Sequence, residues 1–512
     1  MAVMMSGCST PTLPTVGDDE MVGRPADAGQ TTDSPPPRSG ALWYRLQPGD
    51  DSINVRMRLL NPPSTATFFL PGSWAGSDFD DLIRIGYARG PDHSLAMSLD
   101  RSQGRVDIDA GDSDWVELYY EIDTLRERDE EHRFFPWMKD EAFFAYAPTI
   151  LVLPSAGISR QLRDIPIEVH LPPDWTVTAT WPMHRAPVEP SEQPIAGFVA
   201  DDIRSLRDAF IAAARDWETV EALLPQGVLT LTLVQPFAFD TETFLDDAAA
   251  ITAEYLDQFG SYDHISAIIM DLPQDAPQTL RGTGRRGGFV LEIPTEQPLD
   301  ADLRLLLAHE AFHMWNGHRI VPDGDTHDDV QWFKEGVTHY IALKSLARLG
   351  LIDERATRRE LALAGQYYLQ NPLVAGGQVR PIDRTRFPYD RGVLIALALD
   401  VSLYHHSDGQ SSVEDWIALL LSPDFAEQAR AYDLDTLDDS FQHLIDDIDP
   451  QLFHRYQQLV HSSEPIDVNE LFRSLGLHFL QTRHGNRSRL LPIDEQSEPF
   501  EALFEFSSPT PR

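Results

Sequence analysis

Sulfur chemistry is nearly absent from this chain. Its 512 residues include a single cysteine, Cys8, so no intramolecular disulfide can form and no multi-thiolate site can hold a metal. Positive charge is scarce as well. Lys and Arg number 41 against 81 Asp and Glu, a formal net charge of −40. A surface of that sign repels phosphate backbones and argues against nucleic acid as a partner. Long apolar runs are missing too: nothing reaches the roughly 18 consecutive residues of a bilayer span. Hydrophobic residues still make up 42% of the chain, enough for a large core divided among about two to four domains.

The N-terminal stretch Met5-Ser6-Gly7-Cys8 resembles a bacterial lipobox, in which the cysteine carries a lipid. Residues 1–40, rich in Ser, Thr, Pro, Gly and Asp, then read as a disordered tether. On this reading the protein sits in the bacterial cell envelope, at the periplasmic or outer-membrane face, and meets the membrane only through Cys8. The other reading is a plain disordered N-terminus.

From 41 to 194 the pattern is β. Ile53, Val55, Met57 and Leu59 alternate with polar residues, as do Val116, Leu118, Tyr120 and Ile122, and then Ile167, Val169 and Leu171. Period-two strands broken by Pro and Gly predict a β-sandwich-like domain, followed by a Pro-rich linker at 182–194. From 195 to 350 the texture is mixed: a helix over 201–223, a strand over 228–234, a helix over 242–258, strands over 264–272 and 287–293, then helices over 300–316 and 330–349. Residues 351–480 are helix-compatible throughout, and 481–512 read as an extended tail.

The chemistry centres on His309-Glu310-Ala311-Phe312-His313. On a helix, residues four apart leave the same face about 6 Å apart along the axis, so both imidazoles can reach one zinc ion. Glu310 lies about 100° around from His309, beside the metal, where it can act as a base toward water at the zinc. The surrounding residues are apolar, which buries the histidines and demands partners for them. Two histidines leave tetrahedral zinc short of a protein ligand. His318 follows His313 by five positions and is misplaced for a third histidine. Glu335, in the apolar segment Trp332–Tyr340, would be costly as a lone buried carboxylate, and coordination removes that cost. His327, Asp328 and Asp329 are nearer in sequence but lie in a polar loop.

These blocks resemble the glycyl aminopeptidase family of gluzincin zinc peptidases. His309 to Asn316, then Trp332-x-x-Glu335-Gly336-x-Thr338-x-Tyr340, carry the resemblance, with Tyr389-Asp390-Arg391-Gly392 as a third block and Leu70-Pro71-Gly72-Ser73-Trp74 as a weaker echo. The resemblance implies a multi-domain α+β chain: an N-terminal β-sandwich-like domain, a thermolysin-like α/β zinc catalytic domain and a C-terminal helical domain. It also implies a hydrolase acting on peptide substrates, with Tyr389 donating to the oxyanion. The family's Gly-Gly-x-Glu-His edge strand is matched here by Gly287-Gly288-Phe289-Val290-Leu291. Gly287 and Gly288 are therefore the expected substrate-binding residues, but Val290 and Leu291 stand where the acid and histidine would be, and Glu292 comes two positions late. That departure leaves exopeptidase against endopeptidase open. Two further readings stay open: a catalytically idle envelope zinc protein, and a zinc hydrolase of a small non-peptide substrate.

Overall fold

The computed structural model describes residues 41–506 except 73–76, 140, 185–194, 274, 278, 324–326, 372–373, 375–386, 427–430, 463, 483–486 and 494–497. Cys8, the tether, Ser73, Trp74 and most of the Pro-rich linker lie outside the described residues. Three regions follow one another: β-rich, mixed and helical. No helix among the described residues is long and apolar enough to cross a membrane.

The expected alternation builds the first region. Ser52–Leu60 pairs antiparallel with Trp115–Asp123 so that Ile53 faces Ile122, Val55 faces Tyr120 and Met57 faces Leu118. All six side chains are buried. A matched register of this kind places both apolar sets on one face. The sheet has six strands, and its outer members are Ile195–Ala200 and Ile83–Arg89. A smaller four-stranded sheet contains Ala142–Tyr146 and Phe210–Ala214.

These last strands correct two expectations. Residues 201–223 do not form one helix: a short helix over Ile203–Arg207, capped by Asp202, gives way to Phe210–Ala214 and then Glu218–Leu224. Ala209–Ala214 is an apolar run buried between two sheet partners, and that tertiary environment overrides helix propensity. The β-rich region accordingly runs to about residue 214, beyond the expected boundary at 194.

The mixed region is a five-stranded sheet of β1 (Glu218–Leu224), β2 (Gly227–Leu233), β3 (His264–Asp271), β4 (Arg281–Arg285) and β5 (Gly288–Ile293), in the order β1-β2-β3-β5-β4. Its edges are therefore β1 and β4, the latter antiparallel to β5, and the Gly288–Ile293 strand is internal. One face packs under helices α1 (Thr241–Phe259) and α2 (Ala301–Phe312), and its Phe289 and Leu291 share one core with Leu303 and Leu306. The other face, with Ile268, Met270 and Val290, packs on Phe144, Tyr146 and Phe210 of the β-rich region. Burial on both faces explains why these strands read as unbroken apolar runs.

Beyond α2, a single π-helical turn, Trp332–Val337, runs into α3 (Thr338–Arg348). Then come α4 (Glu354–Gln370), α5 (Phe387–His406) and α6 (Val413–Leu421). A charged knot ties them. Lys344 on α3 bonds Asp400 on α5 at 2.8 Å and also Glu414 on α6. Tyr340 and the Val413 N–H donate to the same Asp400. The expected extended tail holds a strand, Ser488–Pro492, but departs from expectation farther on. Glu498–Phe504 is a helix whose Phe500, Leu503 and Phe504 are buried, Phe504 lying edge-on to Tyr340 at 6.0 Å. The four-residue spacing of the two phenylalanines is a helical signal outweighed in the sequence by flanking Pro and Glu.

Replacing Lys344 by Met would leave two buried carboxylates without their shared cation. We expect a loss of about 3–5 kcal/mol, read as a lower urea midpoint for the helical region. An unchanged midpoint would show that the knot contributes no net stability.

Candidate active site

The structure brings His309, His313 and Glu335 together. These are the one group of potential metal ligands found among the described residues, and all three are buried. The two imidazole Nε2 atoms lie 3.0 Å apart, and Glu335 Oε2 lies 3.5 Å from His309 and 3.2 Å from His313. Four ligands around zinc at roughly 2.0–2.1 Å sit about 3.3 Å from one another in a tetrahedron. The donor set fits zinc in number, chemistry and spacing. Asp328 and Asp329 lie instead on a separate short turn, His327–Val330.

Local structure explains the convergence. His313 Nδ1 is 2.9 Å from the Asn316 carbonyl, which fixes the Nδ1–H tautomer and leaves Nε2 free to ligate. The Asn316 side-chain amide donates to the Phe333 carbonyl at 3.0 Å and to Thr338 Oγ1 at 3.1 Å, and its oxygen accepts from Tyr432. One buried asparagine thus links the end of the histidine helix to the turn bearing Glu335. The π turn widens that segment at the ligand, as such turns often do at functional sites.

Burial sets the electrostatics. It pushes His309 down to about 4, against the opposing pull of Glu335. It opposes ionisation of Glu335 too, but Lys334 and His313 outweigh it and hold the carboxyl well below the usual range. Neutral imidazole and ionised carboxylate are the forms a metal takes. Glu310 is pushed up to about 7 by burial, with His313 pulling the other way and a Gly284 N–H bond also favouring the anion. A bound cation would draw it lower.

Strand β4 lies against this carboxylate. Two of its glycines, Gly282 and Gly284, face Glu310 and His313. A Cβ on Gly282 would stand 2.2 Å from Glu310 Cγ, and one on Gly284 2.4 Å from His313 Cβ. Only glycine lets the strand lie this close. Gly287 and Gly288 are not brought to the cluster: Gly287 lies in the β4–β5 turn, Gly288 opens β5, and they pack on Thr180, His264 and Ser266. Alternating glycines inside a strand are the signal that would have picked out β4.

Tyr389 is brought in. Half-buried on the first turn of α5, its ring stacks over His309 at 6.2 Å with 25° between planes. The approach depends on a glycine crossing, since a Cβ on Gly336 would lie 2.3 Å from Gly392 Cα. Arg391 is structural, donating to the Leu459 and Val460 carbonyls that end another helix. Glu292 is committed elsewhere. On the face of β5 away from α2, it pairs with Arg133 at 3.0 Å, with Arg128, and at 3.9 Å with Arg281.

Residues 302–388 match the model of the M61 glycyl aminopeptidase family, as the sequence resemblance implied. No curated protein sequence matches. Among solved structures, an aminopeptidase N family protein from Idiomarina loihiensis superposes with a TM-score of 0.68 at 19% identity, over 86% of this chain and 79% of that one. An M1 zinc metallopeptidase from Deinococcus radiodurans gives 0.57 at 13%, over 83% and 94%. A mutant of that enzyme bound to a Tyr-Ser-Ala substrate gives 0.53 at 14%, over 83% and 95%. At such identities the likeness establishes the fold: a multi-domain α+β chain with an N-terminal β domain and a helical C-terminal region. Fold, family match and donor set together support a metallopeptidase.

One zinc per chain is the expected stoichiometry, measured by elemental analysis after dialysis. His309→Ala, His313→Ala and Glu335→Ala should each abolish it. Full zinc content in Glu335→Ala, with loss in Asp328→Ala instead, would reassign the third ligand.

Proposed function

We propose that this protein is a zinc-dependent peptidase acting on an extended chain laid along the open side of β4. The observation that carries the reading is a carboxylate, Glu310, held against the edge strand beside a buried His-His-Glu donor set. Bound zinc would supply Lewis acidity toward water and the scissile carbonyl. Glu310 takes the proton from water and returns it to the leaving amine. Tyr389 donates its phenolic O–H to the oxyanion as charge develops. The outer edge of β4 pairs with the substrate backbone, as an exposed sheet edge can. An idle or purely structural zinc protein would need neither the base nor the donor.

The family's name suggests an aminopeptidase, which must recognise an ammonium group near the metal. In a water-poor cleft that calls for a carboxylate. Strand β4 reads Arg281-Gly282-Thr283-Gly284-Arg285 and offers none, while Glu292 is held by three arginines. We infer that this strand does not select a free N-terminus.

Glu310→Gln should retain zinc and lose roughly 10²–10⁴ in rate. Tyr389→Phe should lose on the order of 10²–10³ in kcat with little change in KM. Peptide hydrolysis by Glu310→Gln at the wild-type rate would end the proposal.

Matched free and N-acetylated peptides test the specificity. A missing charge-assisted bond removes about 1.5–3 kcal/mol of preference, so kcat/KM should be similar for the two or favour the acetylated form. A strong preference for the free amine, abolished by Glu292→Gln, would overturn the inference.

A further inference from the structure

Lys334 is one of the few buried lysines, and it adjoins the third ligand. Its Nζ lies 3.3 Å from Glu335 Oε1, both side chains being almost fully buried. The other carboxylate oxygen, Oε2, is the one that faces His309 and His313. Asn316 anchors the main chain at Phe333 and Lys334, its amide 3.0 Å and 3.4 Å from their carbonyls. The lysine stem passes over Gly317, where a Cβ would stand 3.3 Å from Lys334 Cε and 3.4 Å from His313 Nδ1. The ammonium is therefore seated beside the donor set.

Its position has two consequences. With Oε1 engaged by the ammonium, Glu335 offers the metal one oxygen only, which keeps room for water and a carbonyl oxygen. The same ammonium adds positive charge within a few ångströms of where a dication binds, in surroundings that screen poorly. A cation there lowers metal affinity and leaves the metal short of negative charge, hence a stronger Lewis acid.

We propose that Lys334 is a positioning residue that holds Glu335 to one-oxygen ligation and sets the zinc affinity below what the donor set alone would give. The inference rests on the metal reading of this site.

The test compares wild type, Lys334→Met and Lys334→Gln as full chains. Zinc affinity is measured by chelator competition, and coordination by the visible spectrum of the cobalt-substituted protein. Lys334→Met, uncharged and with no donor, should bind zinc about tenfold tighter or more. Its cobalt bands should weaken as Glu335 turns to offer both oxygens. Lys334→Gln, which keeps a donor but no charge, should tighten affinity while preserving the four-coordinate spectrum. If both variants bind zinc no more tightly than wild type, the proposal is wrong. A wild type that binds no zinc would instead overturn the reading of the site itself.

Discussion

Everything in this active region answers to one constraint: several ionisable side chains sit out of water within a few ångströms of one another. Each would be costly alone. Glu335 is tolerable because two imidazoles and an ammonium surround it, and Glu310 because β4 offers it a peptide N–H. Uncharged alternatives would pack more cheaply. A set of buried charges held by surrounding structure is what a preorganised electrostatic site requires.

The supports come from distant parts of the chain. Asn316 carries the histidine helix to the Glu335 turn, and the glycine pair Gly336 and Gly392 lets α5 bring Tyr389 over His309. Lys344 secures the same helices farther along. The strand opposite is held from the β-rich region: Arg281 donates to both oxygens of Glu130, and Arg128 and Arg133 reach Glu292 beside it.

Much of this was legible in the sequence because it is local. The four-residue histidine spacing, the apolar setting of Glu335 and the alternation over 53–59 and 116–122 each report a periodicity that the fold keeps. What escaped depends on pairing between remote segments. Gly287-Gly288 looked like the substrate strand because the glycine doublet matched a family pattern, yet sheet order puts β4 outermost. The helix expected over 201–223 failed because two sheet partners claim Phe210–Ala214. Asn316 closes the block that begins at His309, but its role appears only once residues 333, 338 and 432 are brought beside it. The π turn at Glu335 leaves no periodicity long enough to notice.

The grip of the β-rich region on β4 bears on how this architecture can be reshaped. Residues 124–137 act as a brace, arising outside the five-stranded sheet and ending on its edge strand β4. A fragment trimmed to start at β1 would lose Glu130, Arg128 and Arg133, and Arg281 and Glu292 would be left to each other. It would also bare the Ile268–Met270–Val290 face of the sheet. The β-rich region is thus no detachable appendage, and grafts or circular permutants of this scaffold have to carry that brace with them.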